Sequence, residues 1–219
     1  MRIATWNLER LIKKKNQQII EKLNEINADI LVLTETSSKI QLENYNFVST
    51  EPLPNFFDNI KYQNGENRVS IFTKFKILTQ YRTFDNFTTV CADIETPNGR
   101  LTVYGSIIGV FGNRQPRFDN DLNGHLTDFE RIISSNMVCI AGDLNVIFSG
   151  RPWPSRRAKD TLLNAFDKYN LTNTTSQIDA NVDHIILSNE FLRDKNIHIE
   201  TWNIDKTLSD HVGHVLNLT

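Results

Sequence analysis

Apolar residues recur along this chain in two rhythms, and the alternation between them lays out its elements. Arg2-Ile3-Ala4-Thr5-Trp6 reads as a strand that stops at Asn7. Ile19, Ile20, Leu23 and Ile26 then return at helical spacing, predicting a helix from about Lys15 to Asn27. Ile30 to Leu33 is an unbroken apolar run, as a strand covered on both faces requires. Tyr45 to Ser49 reads as a short strand and Pro52 to Gly65 as an exposed loop. Strands follow at Arg68 to Phe72, Ile77 to Phe84 and Thr89 to Glu95, where Thr96-Pro97-Asn98-Gly99 turns the chain back into Leu101 to Ile108. Leu122, Leu126, Phe129, Ile132 and Ile133 form a helical stripe over residues 119 to 134. Val138 to Ala141 is a second buried strand, closed by Gly142. The helical period returns from Arg157 to Tyr169, with Leu162, Leu163, Phe166 and Tyr169 inward. Thr172 to Gln177 is a polar connection, and strands close the chain at Val182 to Leu187, Ile197 to Trp202 and Val212 to Leu218.

A strand-helix-strand-sheet pattern thus runs twice, over 1–108 and over 109–219. It predicts one domain over 1–219: an α/β, four-layer α-β-β-α sandwich of two packed mixed sheets flanked by helices. The formal net charge of -2 and pI near 6.2 give no overall field for nucleic acid or membrane, while leaving room for a local basic groove. Cys91 and Cys139 sit in apolar strands without metal-site spacing, as buried thiols of a reducing compartment do. With no signal segment and no apolar run long enough to span a bilayer, the expectation is a cytoplasmic monomer without a membrane partner.

The chemistry collects at strand ends, where α/β sheets meet their ligands. Asn7 follows the first strand, Glu35 the second, Asp143 and Asn145 the central one; Asp183 opens another, and Ser209-Asp210-His211 precedes the last. Taken alone, Asp143 and Asn145 could orient a water or a metal-bound oxygen, or could simply bond the local backbone as an Asx turn.

Five segments, Thr5-Trp6-Asn7-Leu8-Glu9, Asp29 to Glu35, Gly142-Asp143-Leu144-Asn145, Asp183 to Ser188 and Leu208-Ser209-Asp210-His211, occur in an order that resembles the endonuclease/exonuclease/phosphatase superfamily, which includes deoxyribonuclease I and exonuclease III. The resemblance spans the whole chain and implies hydrolysis of phosphoesters with a divalent metal, Mg2+ or Mn2+. It implies Glu35 as principal metal ligand, a hard carboxylate of the kind magnesium takes, with Glu9 and Asp210 nearby. Neutral Asn7 suits a metal-bound water or a phosphate oxygen. Asp143 would orient or deprotonate the attacking water, with Asn145 beside it. His211 would stabilise charge on the phosphate, which needs a protonated imidazole and a carboxylate partner; the resemblance supplies Asp183. His184, His125, His198 and His214 read as structural.

One departure stands out. Relatives place a His or Tyr at the end of the strand Leu101 to Ile108, where the best register here gives Ser106; Asn113 and Arg114 follow in the next loop. Arg151, Trp153, Arg156, Arg157 and Lys159 lie just after Asn145, with Arg114 and Arg117 on the preceding loop, and together could line a basic, stacking groove. That loop favours a nuclease acting on DNA or RNA. Ser106 and the acidic balance favour a phosphatase or phosphodiesterase on a nucleotide, phosphosugar or lipid headgroup. A non-catalytic binding module stands third, against the complete set of polar strand ends.

Overall fold

The computed structural model describes residues 1–57, 59–109, 117–133 and 137–219. Its frame is a pair of strand-helix-strand crossovers. In the first, β1 (Arg2–Asn7) leads through a short 3-10 turn and α1 (Asn16–Ile26) into β2 (Ile30–Ser37), which lies parallel to β1. After β3 (Asn46–Ser49), β4 (Phe56–Phe57), β5 (Ile60–Lys61), β6 (Glu66–Thr73), β7 (Lys76–Tyr81) and β8 (Thr89–Thr96), the arrangement repeats. Strand β9 (Gly99–Ile107) is parallel to β10 (Val138–Asp143), and between them runs α2 (Arg117–Asp128), which continues as a π-helical turn to Ile133. The chain ends with α3 (Arg156–Lys168), β11 (Leu171–Asn173), β12 (Asp183–Ser188), α4 (Asn189–Leu192), β13 (Ile197–Trp202) and β14 (Gly213–Leu218).

The two six-stranded sheets run β13-β14-β1-β2-β6-β3 and β11-β12-β10-β9-β8-β7. The repeat predicted from the pattern is therefore real at the level of the crossovers, but the sheets do not divide the chain at residue 108. Strands β7 to β9 leave the first half for the second sheet, and the β13–β14 hairpin returns to pair with β1. Side-chain alternation builds the layers. On β2, Ile30 and Val32 face the second sheet, while Leu31 and Leu33 face outward with Trp6 beneath Ile19 and Leu23 of α1. On β10, Cys139 and Ala141 face the first sheet, while Ile140 faces outward with Tyr104 beneath Phe118, Leu122 and Phe166. The result is the expected four-layer sandwich.

Two local readings change. The segment 52–65 carries the small β4–β5 hairpin, whose pairing supplies backbone hydrogen bonds without apolar alternation. The polar connection 172–177 begins with β11, an edge strand whose outward side needs no apolar residues. Both cysteines are free and buried, and burial raises their thiols, Cys139 to about 12. No helix among the described residues is long and apolar enough to cross a membrane.

Candidate active site

The parallel pairing of β1 with β2 and of β9 with β10 brings four strand ends to one edge. Asn7, the last residue of β1, is 1% exposed, and its Nδ2 donates to Asp143 Oδ2 across the two sheets at 3.0 Å. Its Oδ1 accepts the Glu9 N–H at 2.8 Å, which fixes the amide's orientation. Asp143 is itself 3% exposed. Its other oxygen accepts the Asn145 N–H at 3.0 Å, so the Asx turn and the long-range contact are both present, one on each oxygen. Asn145, at φ 49, donates from Nδ2 to Ile108 O at 2.9 Å and ties the end of β9 to the turn.

Opposite Asp143 in the antiparallel register lies Asp183, the first residue of β12. Its Oδ2 is 2.6 Å from His211 Nδ1. Burial alone would lower the His211 imidazole, but the charge and hydrogen bond of Asp183, aided by Asp143 and Asp210, raise it to about 10. His211 is therefore the imidazolium at neutral pH, with Nδ1 the donor. Asp143 moves toward neutrality: burial and the neighbouring Asp183 push it up to about 7, with His211 pulling the other way. Asp210, 58% exposed at its side chain, sits on the other side of the ring, 3.8 Å from Nε2.

Glu35 closes the group. It sits at φ 47 near the end of β2, between the paired residues Thr34 and Thr36. Burial raises its carboxyl above the ordinary carboxylate range, against the pull of Arg68, whose Nη1 lies 3.4 Å from Glu35 Oε1. His211, Arg10 and Asp210 also act on it electrostatically. Glu9 braces the same edge: its Oε2 accepts the Asp210 N–H at 3.0 Å and lies 3.3 Å from Lys13 Nζ.

Several positioning residues carry no signal by type. Arg68 is 2% exposed, donates to the Tyr62 hydroxyl, and lies inside β6, two residues after Glu66; a charge beside an apolar run was its only trace in the sequence. Ser209 Oγ donates to Asn7 O at 2.6 Å and accepts the His211 N–H at 3.1 Å. Trp6 Nε1 and Asn203 Nδ2 both donate to His211 O, at 3.0 and 2.7 Å. Thus β1 and the loop before β14 hold the histidine by its backbone.

Ser106 lies elsewhere. Alternation on β9 turns it to the helix-covered face, where it is fully buried and hydrogen-bonded to His125 Nε2, with His125 Nδ1 2.6 Å from Asp121 O. It takes no position at the site edge. Arg114 and Asn113 lie outside the described residues. Arg117 pairs with Asp85 and Asp121, and Arg157 with Asp119 at 2.5 Å. Arg151, Trp153 and Arg156 are on the surface; Trp153 is 36% exposed and Arg156 lies 3.6 Å from Asp160. His184 is buried as structure, its Nε2 2.9 Å from Val146 O.

The donor set fits a hard divalent cation. Asp143 and Asp183 place carboxylate oxygens within 4.8 Å of each other, and Asp183 Oδ1 is buried without a partner among the described residues; His211, as the imidazolium, has no lone pair to give and stays outside the ligand set. With Glu35 and Asp210 alongside, the oxygen-rich character suits magnesium or manganese.

Two sheets whose parallel strands deliver an amide and buried acids to one edge, where the start of β12 and the loop before β14 add a carboxylate-paired histidine, form a four-layer sandwich with the makings of a hydrolytic site. The chain belongs to the Endonuclease/Exonuclease/phosphatase family, which it matches over residues 4–211 and whose members are phosphoester hydrolases. No protein of curated function matches it in sequence. Solved structures share the fold at low identity. D. rerio TDP2, humanized by 14 mutations, superposes with a TM-score of 0.74 at 16% identity, covering 100% of this chain and 98% of that one. The 3′ phosphatase NExo from Neisseria, bound to product DNA hairpin, gives 0.74 at 14%, covering 100% and 99%. An AP endonuclease from Archaeoglobus fulgidus gives 0.70 at 15%, also covering 100% and 99%.

Proposed function

We propose that this protein is a divalent-metal-dependent nuclease that cleaves phosphodiester bonds in DNA or RNA by water attack. The observation that carries the reading is the His211–Asp183 pair, 2.6 Å apart, beside the buried Asp143 that Asn7 braces. His211, held protonated by Asp183, donates from the imidazolium to a non-bridging phosphate oxygen and stabilises the charge that builds there. Asp143 accepts a proton from the attacking water, and Asn7 holds its carboxylate in place. Asn145 secures the turn from which Asp143 projects. Glu35 is the principal ligand of the metal, with Asp210 and Glu9 at its rim; when bound, the cation supplies Lewis-acid polarisation of the phosphate. Arg151 and Trp153, in the loop after β10, and Arg156, at the start of α3, contact the strand, as does Arg114 from outside the described residues.

A relative bound to product DNA supports a polynucleotide, and the same relative's 3′ phosphatase activity keeps a second reading in view: a phosphatase or phosphodiesterase on a small phosphorylated substrate. A panel of duplex DNA, single-stranded DNA, RNA and small phosphoesters, with magnesium or manganese, separates the two. Cleavage of a polynucleotide that EDTA abolishes and that Asp143→Ala and His211→Ala lose is expected. Activity confined to small phosphoesters would replace the leading reading with the second, and full activity in Asp143→Ala would remove the mechanism.

A further inference from the structure

Beside the Glu35 end of β2, and outside the site just described, two cavities of opposite character meet at Ser37. The larger, about 730 Å³, lies against the outer side of β3 and β6 and has no charged residue in its lining. Its walls include Phe72 and Phe47; the two rings stack with centroids 5.6 Å apart at 27°, and Phe47 is 63% exposed on an edge strand. Its polar contribution is specific. Ser49 and Ser70 share a hydroxyl hydrogen bond of 2.8 Å, and Asn67 Nδ2 donates to Ser70 Oγ and Val69 O at 2.8 and 3.0 Å. Both donors of that amide are thereby used inside the protein, leaving Asn67 Oδ1 as an acceptor without a partner among the described residues. A planar, uncharged group with ring faces to stack and an N–H to donate fits this lining, and the volume lies within the range of small-molecule sites.

The second cavity, about 370 Å³, is lined by Arg10, Lys14 and Lys39 against the single carboxylate of Glu66. Arg10 is committed: its Nε bonds Glu66 at 3.1 Å, its Nη2 bonds Lys61 O at 2.8 Å, and its guanidinium lies 4.5 Å from the Tyr62 ring centroid. Lys14 and Lys39 have no ion pair among the described residues, so the cavity keeps an excess of positive charge. An anion belongs there, one step from a cavity whose lining carries no charge.

We infer that the adjoining cavities bind one nucleotide unit, its phosphate against Lys14 and Lys39 and its base in the Phe47–Phe72 cavity, on the strand that the proposed active site cleaves. The inference rests on the nuclease reading for the presence of a strand, but binding tests it without turnover. A short fluorescein-labelled single-stranded oligonucleotide is titrated by anisotropy, in EDTA and again with calcium. Losing one base–aromatic stack, Phe47→Ala weakens binding by roughly fivefold to a hundredfold, and Phe47→Trp restores it. Lys14→Ala combined with Lys39→Ala flattens the log–log salt dependence by about 0.7, the value for one lost phosphate contact. Ile197→Ala, exposed on β13 at the opposite edge of the same sheet, binds as the parent does. A strand with abasic residues throughout keeps the lysine dependence and loses the Phe47 dependence, and competition by a free nucleoside monophosphate shows whether one detached unit suffices. Parent-like binding by both the Phe47→Ala and the lysine variants overturns the site even if polynucleotide cleavage is intact, as does a parent protein that binds no strand. Absence of turnover with the Phe47 and lysine effects present would instead count against the nuclease reading alone.

Discussion

Gly142 is the position where the fold and the proposed chemistry depend most directly on a missing side chain. It lies in β10 one residue before Asp143, paired with Ser106 on β9 and with His184 on β12. A Cβ placed on it would stand 2.0 Å from Ser106 O and 3.1 Å from Ser106 C, both backbone atoms of the central pair of strands. Ordinary contact begins near 3.4 Å, so one strand must retreat by more than an ångström, and no side-chain rotation can absorb that. The residue also sits at φ +134, where L residues are strained. Strain of this kind costs about 1–3 kcal/mol and overpacking of a close-packed core a similar amount, so Gly142→Ala should lose about 2–6 kcal/mol. For a chain of this size that lowers Tm by roughly 10 °C. Turnover in the surviving folded fraction should fall by about a hundredfold, because an ångström of displacement is passed to the adjacent Asp143. Urea unfolding reports the first quantity and substrate cleavage the second. Gly150→Ala is the control: it sits at φ +61 with nothing within 4 Å of the added carbon, so only the left-handed backbone penalty of about 1 kcal/mol remains. If Gly142→Ala unfolded within 1 kcal/mol of the parent, or if the two substitutions cost the same, the steric argument would be wrong.

His211→Ala and Asp183→Asn should each reduce turnover by about 10²- to 10⁴-fold with near-UV circular dichroism retained, and the double variant should lose little more than the worse single one. Multiplicative losses would show that the two do not act as a unit. The kcat/KM profile should fall as pH drops through about 7, where Asp143 gains a proton, and fall again as pH rises through about 10, where His211 loses one. These apparent values belong to the coupled group, and the alkaline limb should vanish in His211→Ala. Burial holds His184 at about 4, below its unfolded value of 6.5. With the folded value depressed, its contribution is complete above pH 6.5 and is lost as pH falls toward 4. Between those limits the parent should lose stability faster than His184→Gln by about 1.4 kcal/mol per pH unit, measured from urea midpoints at several pH values; parallel pH dependences would show His184 to be protonated in the folded protein.

The sequence by itself determined the elements and the inventory at their ends. Apolar runs at Ile30 to Leu33 and Val138 to Ala141 can be satisfied only by strands covered on both faces, and the stripes at Ile19–Leu23 and Leu162–Phe166 only by helices lying on those sheets. Two such crossovers imply two parallel pairs, and parallel pairs deliver their C-terminal ends to one edge. That much placed Asn7 beside Glu35 at the end of one crossover and Asp143 at the end of the other, without saying that the two ends meet. Periodicity, however, is local, and it does not say which sheet a strand joins; only pairing moved β13 and β14 beside β1 and β7 to β9 beside β10.

Only tertiary structure made the meeting of distant side chains. Asn7 and Asp143 bond across 136 residues and Ser209 and Asn7 across 202, separations at which a single sequence carries no signal. Ser106 shows the same limit from the other side: one step in strand alternation turned it from the site edge to the helix face, where His125 meets it. Arg68 is the third case. In the sequence it reads as the start of the strand Arg68 to Phe72, whereas it lies inside β6, and its role depends on Glu35 and Tyr62 closing around it once the sheets have packed. The chemistry of each strand end was legible because it resides in one side chain. The protonation of His211 was an expectation that the resemblance carried; its physical basis is the field that Asp183, Asp143 and Asp210 create together, which only the fold assembles.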